Sequence, residues 1–240
     1  MRIGFLSDAH GNPVMLAACL QKLRELEVSS IYFLGDAVGY LPGESKVLGM
    51  FRSEGVHCQK GNHEAMLLGE LPLPRVKDET YRLGSARARL SAVDREYIRG
   101  WPDHRIVDLG EKKLLLVHGS PDDYLQGYVY PNSDLTSFDN SDHDAVFMGH
   151  THYPFMSRRR NTLVVNVGSC GLPRDQGNLA AFAIFDVTTD TCNIYRLRLD
   201  AVEVVNYFGA EHMAQAVHDC FFRESSAPPV GQRLDATEYE

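Results

Sequence analysis

Short apolar runs, each stopped by a glycine or by a residue suited to metal binding, punctuate the first part of the chain. Residues 3–6 run into Ser7-Asp8, residues 31–34 into Gly35-Asp36, and residues 56–59 into Gly61-Asn62-His63-Glu64. Apolar runs this short, bounded in this way, predict buried strands. Between the first two, Leu16, Leu20, Leu23 and Leu26 recur at helical spacing behind Pro13, which suits a first helical turn. This predicts a helix over 13–26, and a shorter one is expected over 44–52. Strands alternating with helices imply βαβ units and a mainly parallel sheet.

Further along, apolar positions among charges predict helices over 78–90 and 92–99, after an elbow at Leu71-Pro72-Leu73-Pro74. The second half reads as strands. Residues 105–109 and 114–117 flank Gly110-Glu111-Lys112, a hairpin signal. Runs at 145–148, 154–159, 163–167, 179–186 and 192–199 follow, the last two separated by a turn at Thr188-Thr189-Asp190. A final amphipathic helix is expected over 211–222. The polar tail from Ser225 to Glu240, with Pro228-Pro229, is expected to be mobile. With no internal repeat and no clear linker, one domain over 1–224 is the reading.

Composition narrows the class. Of 240 residues, 44% are hydrophobic and 23% charged, which suits a globular chain with a real core. The formal net charge of −8 disfavours a binder of nucleic-acid duplexes or acidic membranes, although bound cations reverse the field locally. Five cysteines, an odd number with no CxxC pair, read as reduced thiols. The opening apolar stretch is too short for a signal peptide, and no run is long enough to span a membrane. A cytoplasmic protein is expected.

The candidate chemistry lies where the runs stop. Asp8-x-His10, Asp36, Asn62-His63, His118 and His150-x-His152 each follow a predicted strand. In parallel α/β sheets, ligands bind outside the carboxyl ends of the strands, so five such segments can converge on one site. Each motif alone is an ordinary turn. Together, two carboxylates, an amide oxygen and several histidines make a mixed oxygen and nitrogen set. That set suits Mn, Fe, Zn, Co or Ni better than Mg or Ca. The absence of cysteine argues against a structural zinc ribbon.

The ordered set Asp8-x-His10, Gly35-Asp36, Gly61-Asn62-His63-Glu64, His118-Gly119 and Gly149-His150-x-His152 resembles the calcineurin-like metallophosphoesterase family. The stretch from Asn166 to Asp175 further resembles its small bacterial members, including phosphodiesterase-like and diadenosine-polyphosphatase-like proteins. The resemblance implies a four-layer α/β/β/α sandwich of two mixed sheets flanked by helices. It also implies two divalent ions, manganese foremost. Asp8, His10 and His152 would hold one ion, Asn62, His118 and His150 the other, and Asp36 would bridge them. A bridging hydroxide would attack phosphorus. His63 would bind no metal, but would stabilise charge on the phosphate and protonate the leaving oxygen. The reaction would be hydrolysis of a phosphodiester, monoester or anhydride of a small substrate, with nucleotides favoured. The rival reading is an inactive scaffold of the same fold that binds a protein partner. The oligomeric state stays open, a homodimer included.

One departure matters. Protein phosphatases of the family continue Gly-Asp with Asp-Arg, whereas here Gly35-Asp36 continues into Ala37-Val38-Gly39-Tyr40. That disfavours a protein substrate and leaves the partner that orients His63 unassigned. Glu64 is read as a helix-start residue. His57, His104, His143, His212 and His218 match no motif and are read as structural. Ser120 is read as shaping a turn, and Cys170 as structural. The aromatic-rich segment 122–130 either stacks on a nucleotide base or packs as a loop. Arg174 is read as an ion-pair partner of Asp175 in preference to a phosphate contact.

Overall fold

The computed structural model describes residues 1–225 and 229–235. Along the chain lie β1 (Arg2–Leu6), α1 (Pro13–Glu25), β2 (Ser30–Phe33), α2 (Glu44–Ser53), β3 (His57–Cys58) and α3 (Asn62–Leu68). Then come α4 (Arg75–Tyr81), α5 (Leu83–Arg89), α6 (Ala92–Arg99), β4 (His104–Asp108), β5 (Lys113–Val117) and β6 (Ala145–Met148). The remainder is β7 (Phe155–Arg159), β8 (Thr162–Asn166), β9 (Leu179–Asp186), β10 (Thr191–Arg198), α7 (Ala201–Phe208), α8 (Gln215–Phe221) and β11 (Gln232–Asp235).

The strands form two mixed sheets, ordered β11-β10-β9-β1-β2-β3 and β4-β5-β6-β8-β7. In the first, β1, β2 and β3 run parallel, while β9 pairs with β1 antiparallel. In the second, β5, β6 and β8 run parallel, with β4 and β7 antiparallel at the edges. Alternation along β1 explains how the sheets stack, because successive side chains point to opposite faces. Ile3 and Phe5 turn inward to meet Leu114, Leu116, Phe147 and Val165 of the second sheet. The Phe5 and Phe147 rings stack at 3.9 Å. Leu6 turns outward beneath the helices, among Met15, Leu16 and Leu20.

All eight α-helices among the described residues contribute to that outer core on the first sheet. The outer face of the second sheet is covered more thinly. Val117, Val146, Met148 and Val164 pack there beneath Val129, Leu135 and Phe138, carried by a long loop and one 3-10 turn at Thr136–Asn140. The expected sandwich of two mixed sheets flanked by helices is observed, with this outer layer reduced to loop and turn.

Several local expectations change. The helix expected over 78–90 is two helices, α4 and α5, broken at Arg82, which is left-handed at φ 56°. The helix expected over 211–222 narrows to α8, and α7 before it was not anticipated. Within the tail expected to be mobile, Gln232–Asp235 pairs with β10 as a parallel strand. Residues 226–228 and 236–240 of that tail lie outside the described residues. Among the described residues, no helix is long and apolar enough to cross a membrane.

Candidate active site

The parallel strands deliver the site. β1 ends two residues before Asp8, β2 three before Asp36, and β3 four before Asn62. β5 ends immediately before His118, and β6 two residues before His150. All eight sequence-predicted residues, His10, His63 and His152 among them, are buried. The loops that carry them are tied to one another. Asp8, His10 and Gly11 donate backbone N–H bonds to Gly35, Asp36 and Ala37, at 2.9, 3.0 and 2.8 Å. Gly149 N–H donates to the His118 carbonyl at 3.0 Å.

Five of the eight, Asp8, His10, Asp36, His150 and His152, have left-handed backbones with φ between 47° and 65°. For non-glycine residues that conformation costs about 1–3 kcal/mol each and clusters at functional sites. The glycines of the motifs have a separate reason. A Cβ on Gly61 would lie 2.2 Å from Asp36 Oδ1, and one on Gly149 would lie 2.0 Å from Ser7 Oγ. Only a residue without a side chain lets these loops close on the aspartates.

The side chains fall into overlapping groups. Nε2 of His10 and of His152 approach to 3.0 Å, and lie 3.6 and 3.2 Å from Asp8 Oδ1. His118 Nε2 lies 3.0 Å from Asn62 Oδ1, 3.1 Å from His150 Nδ1 and 3.3 Å from Asp36 Oδ2. Asp36 Oδ2 also sits 3.8 Å from Nε2 of both His10 and His63, between the two groups. His10, Asp36 and His63 themselves form a third close grouping.

These separations match the edges of a coordination shell. Bonds of about 2.1 Å give ligand–ligand edges of about 3.0 Å in an octahedron and about 3.4 Å in a tetrahedron. Asp8 Oδ1 and His150 Nε2 are buried with no hydrogen-bond partner. A buried carboxylate oxygen without a donor is costly and suits a cation. The donor set and its spacing therefore fit divalent ions.

Backbone carbonyls aim the rings. Nδ1 of His118 bonds Leu34 O at 2.9 Å, Nδ1 of His152 bonds Leu172 O, and Nδ1 of His10 lies 3.4 Å from Val38 O. Each leaves Nε2 facing the cleft, the usual way a ligand histidine is fixed. His63 Nδ1 bonds Val38 O at 3.0 Å, which identifies its orienting partner. Glu64 does more than start a helix. Its carboxylate accepts N–H bonds from Asp36, Ala37, Val38 and Gly61 at 2.7, 2.8, 3.2 and 2.8 Å. It thereby holds the loop bearing Asp36. The segment after β8 braces the opposite loops: Asn166 Nδ2 donates to Gly149 O at 2.6 Å, and Ser169 Oγ to Asp8 O at 2.7 Å.

Burial sets the electrostatics. It opposes charge on Asp36, yet His118 and His63 beside it hold its carboxyl below the usual range. Burial likewise works against Asp8, but His152 and His10 keep it well below that range. Burial, with His118 adjacent, lowers His150 to about 3, and burial with Arg174 nearby lowers His152 to about 4. His118 is driven the other way, to about 9, because Asp36 and Asp8 outweigh its burial. Cation binding at His118 must therefore displace a proton. Burial and the Asp36 charge push Glu64 up to about 7, against the pull of its backbone donors.

Of the residues read as bystanders, Ser120 Oγ accepts from Asp123 N–H at 3.1 Å and shapes its turn. None of the other five histidines lines the cleft. Arg174 departs from its reading. Asp175 pairs with Arg196 at 2.5 Å, while Arg174 lines the cleft and donates to the Tyr40 hydroxyl at 3.1 Å. Tyr40, Tyr81 and Tyr128 line the same cleft. Tyr40 had a faint signal, closing the Gly35-to-Tyr40 loop; Tyr81 had none.

Comparison with known proteins agrees. Residues 1–190 match the calcineurin-like phosphoesterase superfamily domain. An uncharacterised protein of Methanocaldococcus jannaschii is 25% identical over 219 residues, covering 82% of this chain and 88% of that one. The crystal structure of a metallophosphoesterase from Sphaerobacter thermophilus superimposes with a TM-score of 0.79 at 24% identity, covering 92% of this chain and 98% of that one. That of a hypothetical protein from Pyrococcus horikoshii gives 0.81 at 21%, covering 94% and 99%. With its motifs in order at the strand ends and three-quarters of its length matched, the chain belongs to the calcineurin-like phosphoesterase superfamily.

Proposed function

We propose that the protein is a dinuclear-metal phosphoesterase that hydrolyses a small phosphorylated compound, by preference a nucleotide. In this reading Asp8, His10 and His152 hold one divalent ion, Asn62, His118 and His150 a second, and Asp36 bridges them. The observation that carries it is the convergence of buried ligand atoms at coordination-edge distances, with Asp8 Oδ1 orphaned among them. Family membership supports a phosphoester hydrolase, and the nitrogen-rich donor set favours manganese or another borderline ion. Bound ions would supply charge neutralisation at phosphorus and acidify water.

The chain's own groups supply the rest. Asp36, negative and central, orders both metal sites. His63, fixed through Nδ1 by Val38, presents Nε2 to the cleft; burial lowers it to about 3 in the metal-free protein, so it would first take up a proton beside the phosphate anion, then steady the phosphoryl oxygens and pass that proton to the leaving oxygen. A protein-binding scaffold would have no need of five strained backbones aimed at one point.

The test uses an aryl phosphodiester. Chelation should stop its hydrolysis and manganese restore it, with about two ions bound per chain by elemental analysis. His63→Ala should lower kcat on the order of 100-fold or more while the metal content holds. Full activity in the metal-free protein would remove the reading.

A further inference from the structure

The cleft offers only about 20 Å³ of free volume. Pockets that engulf a drug-sized ligand run from about 300 to 1,000 Å³. The body of a substrate must therefore lie at the rim. The rim is aromatic. On one side stand Tyr40 and Tyr81, their faces occupied by His63, whose ring centroid is 5.0 and 4.6 Å from theirs. On the other, Tyr128 packs 4.2 Å from His150 and runs parallel to Tyr130, at 5.9 Å and 7°. Tyr128 is 55% exposed, so an open aromatic surface borders the cleft. Arg174 adds a half-buried guanidinium to the same cleft, and its neighbour Asp175 is already engaged by Arg196.

Building on the phosphoesterase reading, we infer that this rim is a nucleotide subsite: Arg174 binds phosphoryl oxygens and the exposed ring of Tyr128 stacks the base. A planar guanidinium matches phosphate oxygens, and an exposed ring matches any base. Nucleoside phosphates carry both features on one small molecule. The base is stacked but not read by hydrogen bonds, so the subsite tolerates purines and pyrimidines alike.

The test is calorimetric binding to the manganese-loaded protein in a His63→Ala background, which slows turnover. Adenosine 5′-monophosphate should bind on the order of 5- to 100-fold more tightly than ribose 5-phosphate. Tyr128→Ala should bring the two affinities together, and Tyr128→Phe should keep them apart. Arg174→Gln should weaken both ligands about tenfold. Tyr207→Ala, in a different hollow, should preserve the ratio. Equal affinities in the parent, or a preference that survives Tyr128→Ala, would overturn the base site; unchanged binding in Arg174→Gln would overturn the phosphate contact. Base preference without any hydrolysis by the His63-containing protein would retire the enzyme reading and keep this one. Hydrolysis without base preference would do the reverse.

Discussion

At the scale of single residues, position within the constellation decides consequence. Asp36 lies within 3.8 Å of His10, His63 and His118, so it serves both proposed ions. Asp36→Asn keeps the shape and removes the charge. Both ions should be lost together in equilibrium dialysis, and retention of one at full affinity would contradict bridging. Glu64 supports that aspartate from behind. Its two oxygens accept four backbone N–H bonds, two each. In Glu64→Gln one oxygen becomes an amide donor, and two buried N–H groups lose their acceptor. At about 1–3 kcal/mol per unsatisfied group, denaturant melts should show a loss of about 2–5 kcal/mol. A variant as stable as the parent would mean the loop closes without this carboxylate. The eight site residues were legible because their types are unusual together and each follows an apolar run. The four-way role of Glu64 was not, because three of its four donors are backbone groups 26–28 residues away. Tyr81 was silent for a similar reason: only the break at Arg82 turns its ring toward His63.

At the scale of elements, the segment after the last strand of the second sheet works as a bracket. It runs from β8 past Asn166, Ser169 and Leu172, which grip the site loops, to Arg174 at the rim. Two elements then hold its far end. β10 contributes Arg196, fully buried, which donates to Asp175 at 2.5 and 2.9 Å and to Leu179 O at 2.8 Å. The segment just past α8 contributes Arg223, whose carbonyl accepts from Gly177 N–H and whose guanidinium donates to Arg174 O. Arg196→Met leaves Asp175 without its cation. Breaking one partner of a largely buried pair should cost about 3 kcal/mol, read by denaturant melting. Adding Asp175→Leu should recover most of that loss; a double variant no better than the single one would show that the pair is not coupled. Strands such as β6 and β9 were legible because an apolar run bounded by turn residues has few other fates. Helix α7 was not. Val202, Val204, Val205 and Tyr207 favour strands locally, and the helix forms because Asp200 caps it and Val204, Val205 and Phe208 bury against the helical layer. β11 was missed because a segment with one apolar residue becomes a strand only beside the open edge of β10.

At the scale of the molecule, the candidate site is a place where the two sheets are joined by polar groups as well as by apolar contact. Asp8 and Asp36 follow strands of the first sheet, and His118 and His150 follow strands of the second. Between the sheets lies a dry core centred on Phe5 and Phe147. The proposed second ion takes His118 and His150 from one sheet and shares Asp36 with the other. Metal should therefore act as a clamp across the sandwich. Ligands that bind only the folded state add about 2.7 kcal/mol at a hundred times Kd, and two ions at that level add about 5 kcal/mol. For a chain of this size each kcal/mol moves Tm by about 2–4 °C. Chelation should then lower Tm by roughly 10–20 °C, and manganese should restore it. His118→Ala should remove much of the metal-dependent part and should also lower the metal-free Tm below pH 9, because protonated His118 beside Asp36 and Asp8 stabilises the metal-free protein. Identical melting with and without chelator, in a protein shown to have bound two ions, would mean that the unfolded chain binds the ions as tightly as the sandwich does, and would overturn the clamp.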